Sequence, residues 1–179
     1  MADNRATMDM TRLVADHHAA VYGYAYRLSG NEADAEDLAQ QVFLTAQRKL
    51  DQLRSAESVR GWLLAIARNG FLKASARRRP TSAVDLRLNI DGIPAEALDG
   101  EEIDHEWLQQ AIDELPDTFK VVLVMFYFEE SSYREIAEQL ELPIGTVMSR
   151  LARAKGHLRS KLFETDPSAA EERQISPTG

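Results

Sequence analysis

An all-α protein built from two small helical domains is what this sequence predicts, and three observations carry the expectation. Apolar residues recur at three- and four-residue spacing almost throughout. Stretches in which β-branched and polar residues alternate are missing, so strand signals are scarce. A segment with Pro, Gly and many acids but weak periodicity separates two periodic blocks. The expected organisation is a first domain over residues 10–80, a flexible acidic linker over 81–103, a second domain containing a helix-turn-helix over 104–163, and a disordered polar tail over 164–179.

The first helix is expected over 11–28, with Leu13, Val14, His17, Val21, Tyr24, Ala25 and Leu28 on one stripe. Ser29-Gly30-Asn31 breaks it, with Gly30 suited to the residue just past a helix end. Asn31 can cap the second helix, whose first turns carry Glu32, Asp34, Glu36 and Asp37, as the helix dipole favours. That helix should bury Ala35, Leu38, Ala39, Val42, Phe43 and Ala46 and end near Leu50. Ser58 caps a third, with Val59, Trp62, Leu63, Ile66, Ala67 and Gly70 inward, which Pro80 stops after Arg77-Arg78-Arg79. In the second domain Trp107, Leu108, Ile112 and Leu115 line a first helix, and Pro116 fits the first turn of the next. Ser131 or Ser132 caps a short helix over 133–140, and Leu142-Pro143 turns the chain into a last helix over about 145–162.

The net charge of −8 argues against nucleic acid only as an average, because the charge is segregated. Residues 54–79 hold seven bases (Arg54, Arg60, Arg68, Lys73, Arg77, Arg78, Arg79) and one acid, Glu57. Residues 143–163 hold five (Arg150, Arg153, Lys155, Arg159, Lys161) and no acid. Between them, over 81–117, eleven acids face only Arg87. At ordinary salt a charge acts within about 10 Å, so local patches decide contact with a phosphate backbone. Two basic segments around an acidic one imply two surfaces for a polyanion.

Other classes fit poorly. Without cysteine there is no disulfide or thiolate metal site, which agrees with a reducing cytoplasm. No apolar run approaches the 18 residues of a membrane span, so membrane insertion is not expected. The opening MADNRATMDMTRLVADHH lacks a signal-peptide core. His17, His18, His105 and His157 are the only histidines, and none stands at metal-ligand spacing from a partner. Neither a phosphate-cradling glycine loop nor a serine elbow occurs. No catalytic residue, metal or organic cofactor is expected, and the chain does not read as an enzyme.

The segment SYREIAEQLELPIGTVMSRLARAK, residues 132–155, has helix-turn-helix spacing. Ile136, Ala137 and Leu140 face inward on the short helix, with Ala137 small where a second helix must cross. Val147 and Leu151 anchor that second helix, leaving Thr146, Met148, Ser149, Ala152 and Arg153 outward, where such helices enter a major groove. Thr146 and the open amides of the helix start can hold a phosphate. Arg153 can bond guanine, Ser149 a base edge or phosphate, and Arg150 and Lys155 the backbone.

From LPDTFKVVLVMFYFEESSYREIAEQLELPIGTVMSRLARAKGHLRSKL the chain resembles region four of the extracytoplasmic-function group of the sigma-70 family of RNA polymerase sigma factors. Independently, DAEDLAQQVFLTAQRKL resembles the polymerase-binding helix of region two, and RGWLLAIARNGFLKASARRR the helix that reads and melts the minus-10 element. The likeness spans about 10–79 and 104–163 in the family's order, and the two blocks together are highly specific.

The resemblance implies a partner set of core RNA polymerase (clamp helices of the largest subunit, and flap), promoter DNA and an anti-sigma factor. It places Asp34, Asp37, Leu38, Gln40, Gln41 and Phe43 on the clamp, although Leu38 and Phe43 suit a core equally well. It puts Arg68, Asn69, Lys73, Arg77, Arg78 and Arg79 at the minus-10 strand, and the loop 51–57 around a base turned out of the stack. Opening DNA also calls for aromatic stacking, for which Trp62 and Phe71 are candidates, Trp62 being better suited to the core. Met148, Ser149, Ala152 and Arg153 fall where the family reads the minus-35 element, and the helix-turn-helix reading adds Thr146, Arg150 and Lys155 to the expected minus-35 contacts. The chain departs from the family at Lys73, where an acid is common, and at Ala152, where a larger polar or aromatic residue is common. A polymerase-binding adaptor would not need the Arg77–Arg79 cluster, and a dimeric repressor would need an interface or ligand pocket that the front domain does not resemble.

Overall fold

A computed structural model describes residues 10–50, 58–78 and 105–165, with the side chains of 162–165 left out. The described residues form seven helices and no strand: α1 (Met10–Ser29), α2 (Glu32–Arg48), α3 (Val59–Arg78), α4 (His105–Asp113), α5 (Asp117–Phe128), α6 (Tyr133–Leu140) and α7 (Ile144–Thr165). The all-α expectation holds. The loop 51–57, Arg79, the linker 81–103 and the tail from 166 lie outside the described residues. The chain divides into two compact units: α1–α3 together with residues 127–130, and the remainder of the described residues from 105 onward.

In the first unit α1, α2 and α3 each pack on the other two. Leu13, Val21 and Leu28 of α1, Ala35, Val42 and Ala46 of α2, and Leu63, Leu64 and Ala67 of α3 are among its buried apolar residues, none of these more than 2% exposed. The α1–α2 junction follows the expected chemistry. Gly30 takes a left-handed φ of 78°, which costs glycine little, and its N–H donates to the Tyr26 carbonyl at 2.9 Å. Asn31 caps α2, its Oδ1 accepting from the Asp34 N–H at 2.9 Å.

The inward face of α3 differs from the expected one. Leu64, Arg68 and Phe71 are buried, while Trp62, Ile66 and Gly70 are only half-buried. Gly70 marks a close approach: a Cβ there would lie 3.1 Å from the Leu38 Cδ1 of α2. Arg68 is buried as an ion pair, with Nη1 donating to both Glu129 carboxylate oxygens at 2.9 and 3.0 Å. The Tyr24 hydroxyl donates to the same carboxylate, so the buried cation faces an anion that is itself hydrogen-bonded.

In the second unit α7 packs against both α6 and α4. Ile112, Leu115, Val122, Leu123, Ile136, Val147, Leu151 and Leu158 are buried. Pro116 stands just ahead of α5, and its carbonyl accepts the Phe119 and Lys120 N–H groups at 2.8 and 2.9 Å. Beyond the end of α4, Glu114 meets two residues of α7, Lys161 Nζ at 3.0 Å and His157 Nε2 at 3.3 Å.

Candidate nucleic-acid interface

The turn between α6 and α7 is built by local hydrogen bonds. Ser132 caps α6 as a full capping box: its hydroxyl accepts from the Glu135 N–H, and the Glu135 carboxylate accepts from the Ser132 N–H at 2.8 Å. Those bonds hold the Glu135 carboxyl below its ordinary range, the Ser132 side chain contributing most. Glu141 ends the helix in the left-handed region, φ 54°, and the Leu142 N–H returns to the Ala137 carbonyl at 2.9 Å. Pro143 then opens α7, its carbonyl accepting from Thr146 and Val147 at 2.9 and 3.2 Å. Ile136, Val147 and Leu151 are all at most 2% exposed, so the buried stripe of α7 is the expected one.

The opposite face of α7 carries the residues expected at minus-35. Met148, Ser149 and Ala152 are exposed; Thr146, Arg150, Arg153 and Lys155 are half-buried. The Ser149 hydroxyl donates back to the Thr146 carbonyl at 3.0 Å. Lys155 Nζ lies 4.9 Å from the Phe126 ring centroid, and that ring stacks on Tyr133 at 5.4 Å. Partial burial lowers the pKa of Arg150, which as an arginine remains a cation at neutral pH. Sequence periodicity could not find the Phe126 platform, because α5 is apolar on nearly every side.

On α3, Asn69, Lys73, Arg77 and Arg78 are exposed, whereas Arg68 faces Glu129 inside the unit. Arg78 Nη1 reaches Asp34 of α2 at 3.7 Å, both groups being well solvated. Phe71, a candidate for stacking, is 8% exposed and belongs to the core instead. Among the residues expected on the polymerase, Asp37, Gln40 and Gln41 are exposed, Asp34 is half-buried, and Leu38 and Phe43 are 9% exposed each. Phe43 lines a groove between α1 and α2 together with Val14, His18, Tyr22, Asp37, Gln40 and Leu44. Sequence reading missed Leu44, 47% exposed, and the ladder of rings on α1 in which His18 stacks on Tyr22 and Tyr22 on Tyr26. The aromatic spacing of four in that helix is the signal that could have revealed it.

No group of three or more His, Cys, Asp or Glu able to hold a metal occurs among the described residues. Likewise, no helix among them is long and apolar enough to cross a membrane.

A capped helix-turn-helix with a cationic second helix, in a chain that also carries a separate three-helix unit, defines a DNA-binding class of protein. Residues 13–81 match the family model for sigma-70 region 2, and residues 105–158 that for sigma-70, region 4. The chain is 36% identical over 174 residues to the extracytoplasmic-function (ECF) RNA polymerase sigma factor SigE of Mycolicibacterium smegmatis, covering 94% of this chain and 67% of that protein. It is 31% identical over 173 residues to the ECF sigma factor SigW of Bacillus subtilis, covering 89% and 90%. In fold it resembles the sigma factor RpoE of Bartonella quintana, solved with the anti-sigma factor NepR, with a TM-score of 0.63 at 22% identity over 88% of this chain and 99% of that one. The chain belongs to the ECF group of sigma-70 family RNA polymerase sigma factors. Such proteins are transcription initiation factors and not enzymes.

Proposed function

We propose that this protein binds core RNA polymerase in the cytoplasm, carries it to promoters, and takes part in opening them. The observation that carries the reading is the pair of family matches, regions 2 and 4 in order, with the second on a fully capped helix-turn-helix. The first domain, residues 10–80, docks on the clamp helices of the largest subunit through Asp34, Asp37, Gln40 and Gln41 and the groove beside Phe43, while the flap is a further contact. Asn69, Lys73, Arg77 and Arg78 lie along the minus-10 strand, joined by Arg79, and the loop 51–57 receives a flipped base. Arg68 acts there only by leaving its buried ion pair. The second domain, 104–163, reads minus-35 through α7, and the linker 81–103 sets the distance between the two elements. Clamp and backbone contacts offset the few kcal/mol that unstacking costs. No metal or organic cofactor takes part, because the polymerase supplies the chemistry.

An anti-sigma factor holds the protein inactive by covering these surfaces. The complexes of RpoE with NepR and of CnrH with the cytosolic domain of CnrY are precedents in proteins of similar fold.

The test is reconstitution. Purified chain and bacterial core polymerase should form a stable holoenzyme that binds specific promoters and starts run-off transcripts, while the chain alone binds DNA weakly. A chain that binds operator-like sites without polymerase would be a repressor. One that joins the polymerase yet never acquires promoter specificity would be an adaptor. Either outcome overturns the proposal.

A further inference from the structure

The outward face of α7 is more apolar than a DNA-reading helix needs to be for backbone contact. Met148 is 50% exposed, Ala152 is exposed, and four-residue spacing sets them within about 40° of each other around the helix. Gly145, on the same arc, is exposed, and a Cβ there would meet nothing within 4 Å. Two polar neighbours already have contacts within the unit. Ser149 has committed its hydroxyl proton to the Thr146 carbonyl, which leaves it an acceptor, and Lys155 rests on Phe126. The core of the unit does not use these apolar groups, since Val147, Leu151 and Ala154 already supply the buried stripe.

We propose that Met148 and Ala152 read thymine by its C5 methyl group in the major groove of the minus-35 element. The occupant follows from position and charge. This face belongs to the second helix of a helix-turn-helix, the part that meets base edges. The cations Arg150 and Lys155 hold phosphate on either side of it. The thymine methyl is the apolar feature a major groove offers, and aliphatic side chains are its partners. The two residues stand about 6 Å apart along the axis, which is about two base-pair steps of about 3.4 Å. Sensitivity to thymine is therefore confined to one or two neighbouring positions. Ser149, as an acceptor, favours the amino group of adenine or cytosine beside them. The inference rests on the proposed sigma activity and deepens it by assigning the chemistry of its minus-35 readout.

The experiment uses holoenzyme made from the full chain and core polymerase. Its preferred minus-35 sequences are first selected from a duplex library randomised in that element. Each selected thymine is then replaced by uracil, which removes only the methyl group, and holoenzyme affinity is measured at each position. Loss of about fourfold is expected at one or two adjacent positions, the effect of one buried methyl group. Met148→Ala should abolish the penalty at one of them, and Met148→Leu should keep it. A holoenzyme that transcribes from selected promoters but is indifferent to uracil overturns this inference alone. So does a uracil penalty that both Met148→Ala and Ala152→Gly leave unchanged. A holoenzyme that starts no transcripts from any promoter overturns the proposed function and this inference with it.

Discussion

Gly70 and Gly23 are both helix-interior glycines of the first unit, yet they should respond oppositely to a side chain. At Gly70 the Leu38 methyl already stands 3.1 Å from where a Cβ would go, whereas at Gly23 nothing lies within 4 Å. Gly70→Val forces two branched groups into that gap, and overpacking of this kind costs about 1–3 kcal/mol. Gly23→Ala removes backbone freedom from the unfolded chain and should add about 0.5–1 kcal/mol. Urea midpoints moving in the same direction for both variants would show that α2 and α3 do not approach as closely as described. Arg153 presents the residue scale in functional form. Truncation to Ala should cost about 1–3 kcal/mol at the minus-35 element, read as holoenzyme affinity for a promoter against the same promoter with a mismatched minus-35. If discrimination between the two is unchanged, the α7 side chains that meet bases have been assigned one turn out of register.

Elements differ in how plainly the sequence declares them. The α6–α7 hairpin was legible because its ends are chemically marked: Ser132 with Glu135 three residues on, then a turn at Leu142-Pro143, and Val147 and Leu151 at spacing four. The inward side of α3 was not. Leu63-Leu64 and Ile66-Ala67 offer two overlapping apolar stripes, and a rotation of one residue exchanges Trp62 and Ile66 for Leu64 and Phe71. Arg68 shows the same limit more sharply, since a cation is inward only when a distant acid neutralises it, and Glu129 is 61 residues away. In the groove of α2, Phe43 and Leu44 look alike in sequence, and only the packing decides that one is nearly covered and the other open. The capping box gives this scale its own prediction. Ser132→Ala removes one cap acceptor and should lower stability by about 1 kcal/mol. Its bonds also depress the Glu135 pKa in the folded state. A depressed carboxyl contributes stability that is full above the unfolded value of about 4.3 and is lost as pH falls through the lower folded value. Ser132→Ala should therefore destabilise most at neutral pH and progressively less in that acidic window, measured as thermal midpoint against pH. An equal loss at all pH values would mean that the Glu135 half of the box contributes nothing.

For the molecule as a whole, the overall charge and the local charge point opposite ways. A chain with a net charge of −8 should be repelled by DNA at long range, yet residues 54–79 and 143–163 are locally cationic. Screening resolves the conflict, because beyond about 10 Å the acidic remainder is scarcely felt at ordinary salt. The polymerase then supplies the proximity that the net charge withholds, which is why the chain alone should bind promoters poorly. Each cation that neutralises a phosphate releases a counterion and steepens the fall of affinity with salt by about one unit of log–log slope. Lys73 and Arg77 sit on α3 in the first unit, and Arg150 and Lys155 on α7 in the second. Lys73→Ala with Arg77→Ala should reduce the slope of holoenzyme–promoter binding by about two, and Arg150→Ala with Lys155→Ala by about two more. Distant sites without shared partners act independently, so the quadruple variant should lose about four. A slope unmoved by either double variant would remove that helix from the phosphate backbone. A quadruple variant no worse than the weaker double would mean that the two helices do not engage the same promoter at the same time.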